Sequence, residues 1–145
     1  MCEIALRADG GDFLLITIMG RSHPDALDYW DGNWILAEVE VKGGGFHGNV
    51  KGDLRSEEFA DFQTQLTILQ EKLRGEAEFR TMENWLSIQI VGDGMGHMKC
   101  RCLVCDQPGI GNLLDFAIHS DQTFTRRTLA DLHRVLTSFP VVGSI

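Results

Sequence analysis

Trp34-Ile35-Leu36-Ala37-Glu38-Val39-Glu40-Val41 alternates without a break: Ile35, Ala37, Val39 and Val41 fall on one side, Trp34, Leu36, Glu38 and Glu40 on the other. Period two with one apolar side is the pattern of a half-buried strand, and it sets the frame for the rest of the chain. On its N-terminal side, Glu3 to Arg7 and Phe13 to Met19 are two more β-rich runs, joined through Asp9-Gly10-Gly11, so the chain is expected to open with a hairpin. Between Gly20 and Asn33 the sequence carries Pro24, Asp25, Asp28, Asp31 and Gly32 and reads as a long loop. Long loops within compact folds commonly carry function.

On the C-terminal side, Gly43-Gly44-Gly45 turns the chain into a short strand around Phe46 to Val50. Three glycines invite a phosphate-loop reading, but no Gly-Lys-Ser/Thr follows, so a turn is expected. Ser56 before Glu57 and Glu58 reads as an N-cap with an acidic first turn. Beyond it Phe59, Phe62, Leu66, Leu69 and Leu73 repeat at helical spacing, up to a stop before Gly75. Four further strands follow, over Glu76 to Arg80, Trp85 to Val91, His97 to Val104 and Leu113 to Ser120. Leu129, Leu132, Val135, Leu136 and Phe139 mark a second amphipathic helix, capped near Thr125 or Thr128 and stopped by Pro140. Strands joined by short turns with two helices predict an α+β fold: a single domain over residues 1–145, mainly an antiparallel curved β-sheet packed against two α-helices. No internal repeat is visible in the residues.

The 145 residues are 43% hydrophobic and 23% charged, an ordinary globular balance that argues against disorder and fibrous repeats. Twenty-one acidic residues against 13 basic ones give a formal charge of −8, which opposes a nucleic-acid backbone and would steer a cationic protein. Cys2 stands apart from Cys100, Cys102 and Cys105, a poor disulfide framework, and the apolar run Phe13 to Met19 is too short to span a bilayer. A cytoplasmic protein with no membrane partner, no nucleic-acid partner and no cofactor is expected.

Three clusters could carry chemistry. Cys100, Cys102 and Cys105 with His97 suggest zinc, but the strand period puts Cys100 and Cys102 inward and Cys105 and His97 outward, so buried reduced thiols are expected and no metal. If Cys102 faces Leu114 in the last hairpin, Arg101 meets Asp115 and His97 meets His119; a slip of two residues sets Leu103 against Asp115 instead. An acid/base site on His97, Asp115 and His119 has no nucleophile beside it, so solvated cross-strand pairs are the plainer reading. The third cluster, Asp28-Tyr29-Trp30-Asp31-Gly32-Asn33-Trp34, holds two of the three tryptophans and the one tyrosine. Trp30 could plug the sheet end and Asn33 satisfy a buried turn. Alternatively Tyr29, Trp30, Asp31, Asn33 and Trp34, with Glu38 and Glu40 beside them, form an aromatic anchor with an acidic margin, joined by Asp25 and Asp28.

Tyr29-Trp30-Asp31-Gly32-Asn33-Trp34-Ile35, the alternating strand and the Phe/Leu-striped helix resemble the WapI-type immunity proteins and related bacterial families. Leu114-Asp115-Phe116, Asp121-Gln122-Thr123 and Phe139-Pro140-Val141 extend the likeness along most of the chain, with the Trp-Asp-x-Asn-Trp stretch its specific part. The resemblance implies a non-catalytic immunity protein of a toxin–antitoxin pair that neutralises a toxin, often a nuclease, by direct contact. It assigns no catalytic residues. From the residues themselves two further readings stand beside a cationic toxin partner: a homodimer through an uncovered Trp34/Leu36 face, and a small-molecule effector module with an apolar pocket between sheet and helices, near Trp30 and Trp85.

Overall fold

The computed structural model describes residues 2–145, and its strands divide between two four-stranded antiparallel sheets. The first holds β1 (Glu3–Arg7), β2 (Phe13–Arg21), β3 (Trp34–Gly43) and β4 (Phe46–Arg55) in chain order, with a short helical turn, α1 (Tyr29–Gly32), between β2 and β3. After helix α2 (Ser56–Lys72) the second sheet repeats the plan with β5 (Arg74–Arg80), β6 (Leu86–Asp93), β7 (His97–Cys105) and β8 (Leu113–Asp121), followed by α3 (Gln122–Ser138). The α+β class with antiparallel strands is as the sequence predicts. A repeat invisible in the residues is present in the topology: four strands and a helix, twice. Two sheets form rather than one because α2, 17 residues long, carries the chain about 25 Å from the end of β4 before β5 starts.

The apolar faces of both sheets and both long helices meet in one cluster. Ile35, Ala37, Val39 and Val41 are buried as their alternation requires, together with Ile88, Ile90, Cys100 and Cys102 from the second sheet. Phe59, Phe62, Leu66 and Leu69 come from α2, Leu132 and Val135 from α3. The sheets approach closely where glycine leaves room. A Cβ at Gly52 would lie 2.6 Å from the Trp85 indole, and one at Gly43 would lie 2.9 Å from the Phe116 ring. β4 runs to Arg55 rather than stopping near Val50: Gly52 and Asp53 hide its second half from propensity, yet the ladder to β3 continues through Trp34 and Arg55.

Each long helix closes the sheet it does not follow. Gln65 of α2 bonds the β5 edge, accepting from the Glu78 N–H at 2.9 Å and donating to its carbonyl at 3.3 Å. In α3, Asp131 accepts from the Ala5 N–H at 3.0 Å while the Thr128 hydroxyl donates to the Ala5 carbonyl at 2.8 Å. Side chains thus satisfy backbone groups that a bare edge strand would offer to another chain. Gln70 links the two helices, accepting from the Thr125 hydroxyl at 2.6 Å and donating to the Gln122 carbonyl at 2.8 Å. No helix of the described residues is long and apolar enough to cross a membrane.

Several local expectations need correction. The Gly20–Asn33 loop is shorter than expected, because β2 continues past a bulge between Ile18 and Gly20 to Arg21. Ser56 is the first residue of α2 and does not cap it: the residue before is Arg55, whose N–H donates to the Glu58 carboxylate at 2.7 Å, and the buried Ser56 hydroxyl has no partner among the described residues. The helix does end before Gly75, as expected, with Leu73 at φ 61° in the terminating position. Asp121 caps α3 by accepting from the Thr123 and Phe124 N–H groups, since Thr125 and Thr128 are occupied at the helix contacts. The β7–β8 hairpin takes the slipped register, Leu103 opposite Asp115 and Lys99 opposite His119.

Gly52→Ala tests the contact between sheets. In an unconstrained strand alanine stabilises relative to glycine; here the Cβ meets Trp85, and a loss of about 1–3 kcal/mol is expected in urea unfolding. Unchanged or raised stability would show that the sheets are not packed this closely.

Candidate functional site

Arg55 ends β4 directly opposite Trp34, the first residue of β3, and only 1% of it is exposed. Its guanidinium donates to the Tyr29 carbonyl at 2.6 Å and the Trp30 carbonyl at 2.8 Å, and it pairs through Nε with the Glu57 carboxylate. Three rings surround it: the Trp34 centroid lies 4.7 Å from Arg55 Cζ, Tyr29 5.3 Å and Trp30 5.6 Å. A buried cation is tolerated only with its donors satisfied and its charge matched, and carbonyls, carboxylate and ring faces together meet that requirement. The arrangement fastens α1 to the end of β4.

Asn33 holds the same turn from the other side. It is fully buried, donates to the Tyr29 carbonyl at 2.9 Å, and exchanges bonds with the backbone of Val142 at 2.9 and 3.0 Å. Its side chain faces the C-terminal segment rather than solvent. Arg21 adds a clamp, donating to the Gly32 carbonyl at 2.5 Å and the Pro140 carbonyl at 2.6 Å. Asp28 caps the turn, accepting from the Asp31 N–H at 3.0 Å.

On this support Trp30 is 57% exposed, with Tyr29 set edge-on to it at 5.1 Å between centroids. Tyr29 and Trp34 are half-buried, Asp25, Asp28 and Asp31 exposed. Leu36 continues the open apolar strip along β3, followed by the half-buried Glu38 and Glu40. Glu38 accepts from Asn49 at 2.7 Å, and Glu40 lies 3.6 Å from His47. Lys51, opposite Glu38, and Lys42, beyond Glu40 on the same face of β3, are exposed basic residues on this stretch. Of the residues singled out by sequence, Tyr29, Trp30, Asp31, Trp34, Glu38 and Glu40 thus share one side of the molecule, while Asn33 sits beneath them. Trp85, in contrast, is core: its indole packs on Gly52 and donates to the Asp53 carbonyl at 2.8 Å.

The other candidate clusters separate. His97 bonds Asp93 at 2.7 Å, whereas Asp115 accepts from Arg101 at 2.8 and 3.2 Å, which holds its carboxyl below the ordinary range. No hydrogen bond or ion pair joins His97, Asp115 and His119 among the described residues. Burial pushes the Cys100 thiol up to about 12 and raises that of Cys102 as well, so both stay protonated.

Arg55 is the residue that sequence reading missed. The signal available was an arginine directly ahead of a helix whose first turn is acidic, in register with an aromatic strand start. Glu58, on that first turn, is pushed up to about 7 by burial, against the pull of the Arg55 and Met82 N–H groups.

Over residues 5–140 the chain matches the immunity protein WapI-like family, and it belongs to that family. No curated protein matches it. Among solved structures, that of the plant transcriptional regulator PBF-2 has a TM-score of 0.52 and 11% sequence identity, covering 94% of this chain and 81% of that one. At that identity the likeness is one of fold alone.

Two outcomes follow from the geometry. Arg55→Lys keeps the charge but loses the planar fork, so urea unfolding should show a loss of about 1–3 kcal/mol and altered Trp fluorescence. The Glu58 shift has a definite sign: a carboxyl whose folded value lies above the ordinary 4.5 binds more protons folded than unfolded between 4.5 and about 7, so stability falls as pH rises through that window. Glu58→Gln should flatten this slope in denaturation measured at several pH values.

Proposed function

We propose that the chain is a non-catalytic immunity protein that neutralises a cationic toxin, a nuclease, by docking Tyr29, Trp30, Asp31, Trp34, Glu38 and Glu40 against it. The observation carrying this reading is the exposed Trp30 on a turn anchored by Arg55, Asn33 and Arg21. Indoles in a partly open apolar setting are the usual energetic anchors of interfaces, and a turn already fixed in place loses little further freedom on binding. A nuclease must present basic groups to hold phosphates, and the surrounding Asp25, Asp28, Asp31, Glu38 and Glu40 oppose such a surface in sign. The net charge of −8 draws the same partner at longer range. Asn33 contributes from below, as part of the support.

The test titrates the chain with purified, catalytically inactivated nuclease toxin domains. Trp30→Ala should weaken binding by about 2–4 kcal/mol, mainly through faster dissociation, with a smaller loss of about 0.5–1 kcal/mol in folding stability from the ring withdrawn from Arg55. Glu38→Lys with Glu40→Lys should slow association and flatten its dependence on salt. Unaltered rates in both variants, or a toxin-free dimer with Trp30 shielded, would overturn the placement.

A further inference from the structure

A second concave site lies on the far edge of the first sheet, between β1 and α3, and encloses about 370 Å³. Phe124, Arg127, Asp131 and Arg134 follow one another at three- and four-residue spacing, so they share one face of α3 and form a wall of this cleft. Arg7 of β1 and Leu15 of β2 line the other. Three of the chain's 13 basic residues therefore gather in one hollow of an acidic protein.

The charges there are unequally engaged. One oxygen of Asp131 accepts from the Ala5 N–H and the other pairs with Arg134, so that carboxylate is committed to the fold. Arg7 and Arg127 make no ion pair among the described residues. Each instead lies near an aromatic ring, Arg7 5.7 Å from the Phe13 centroid and Arg127 5.4 Å from that of Phe124. Stacking of this kind holds a guanidinium plane while leaving its edge donors free for an oxyanion. Glu3 also lines the cleft and opposes an anion, leaving two unpaired guanidiniums against one unpaired carboxylate.

We propose that this cleft binds a small organic oxyanion, a phosphate or carboxylate carried on a flat apolar body, with Arg7 and Arg127 gripping the anionic group and Leu15 and Phe124 contacting the body. The volume falls within the range of small-ligand sites, which combine an apolar lining with a few placed polar groups. A nucleic-acid strand is disfavoured, because a polyanion would approach against the charge of the whole protein. The site is remote in sequence from the aromatic turn and does not depend on the toxin-binding reading.

Phenyl phosphate, benzoate, inorganic phosphate and neutral benzyl alcohol, titrated into the full chain and followed by backbone amide NMR, test the assignment. One of the two aromatic anions should bind and shift the amides of Ala5, Arg7, Leu15, Phe124 and Arg127; the tighter of the two identifies the preferred oxyanion. Inorganic phosphate and benzyl alcohol should each bind at least about tenfold more weakly. Arg7→Gln with Arg127→Gln should raise the Kd for the preferred anion by about tenfold or more at an unchanged unfolding midpoint. No aromatic anion binding up to about 10 mM, equal binding of benzyl alcohol, shifts elsewhere, or a double variant with undiminished affinity would overturn the proposal. So would a single-stranded oligonucleotide producing the same shifts at lower concentration.

Discussion

The Arg55 guanidinium is the constraint around which the candidate binding surface is organised. Removing such a group from water costs several kcal/mol, and the cost is met only if every donor and the charge find partners at once. Here the partners come from three places in the chain: the carbonyls and rings of α1, the Trp34 ring opposite on β3 and the first turn of α2. The strand end, the helix start and the aromatic turn therefore cannot be arranged independently. What reaches solvent, above all the Trp30 indole, is held by what does not.

The same economy governs the sheets. An edge strand exposes backbone donors and acceptors to any passing chain, and both first strands are answered by side chains of a helix from the opposite half. Gln65 answers Glu78 with an amide, while Asp131 and Thr128 answer Ala5 with a carboxylate and a hydroxyl. Different residue types perform one task, which is why a repeated architecture leaves no repeated sequence. The membership in an immunity family and the fold shared with a transcriptional regulator are compatible on this view: the scaffold specifies sheets and helices, and the exposed side chains specify the occupant.

Much of the fold was legible in the residues. β-rich composition located β1, alternation located β3, β6 and β7 with the direction their side chains face, and helical spacing identified the buried stripes of α2 and α3. What stayed hidden depended on partners distant in sequence. The second half of β4 carries Gly52 where Trp85 lies over it, a fact no local pattern contains. Thr125 and Thr128 carry the chemistry of caps but serve contacts to α2 and β1, leaving Asp121 to cap. In the site, the aromatic and acidic residues were visible as a cluster, while Asn33 stood between a buried turn and a contact residue, and its bonds to Val142 decide for the buried turn. Arg55 was silent because a lone arginine at a strand end is ordinarily solvated.

The crossed closure of the two halves sets the order in which the protein can be completed. The bond from Ala5 to Asp131 spans 126 positions, and the Thr128 bond to the same residue spans 123. During synthesis the β1–β2 hairpin must leave the ribosome and wait, with its outer backbone unanswered, until α3 has followed. Loops of that length form slowly, and a waiting strand is the part of a nascent polypeptide most exposed to wrong pairing. The edge of the first sheet is thus completed only when α3 reaches β1.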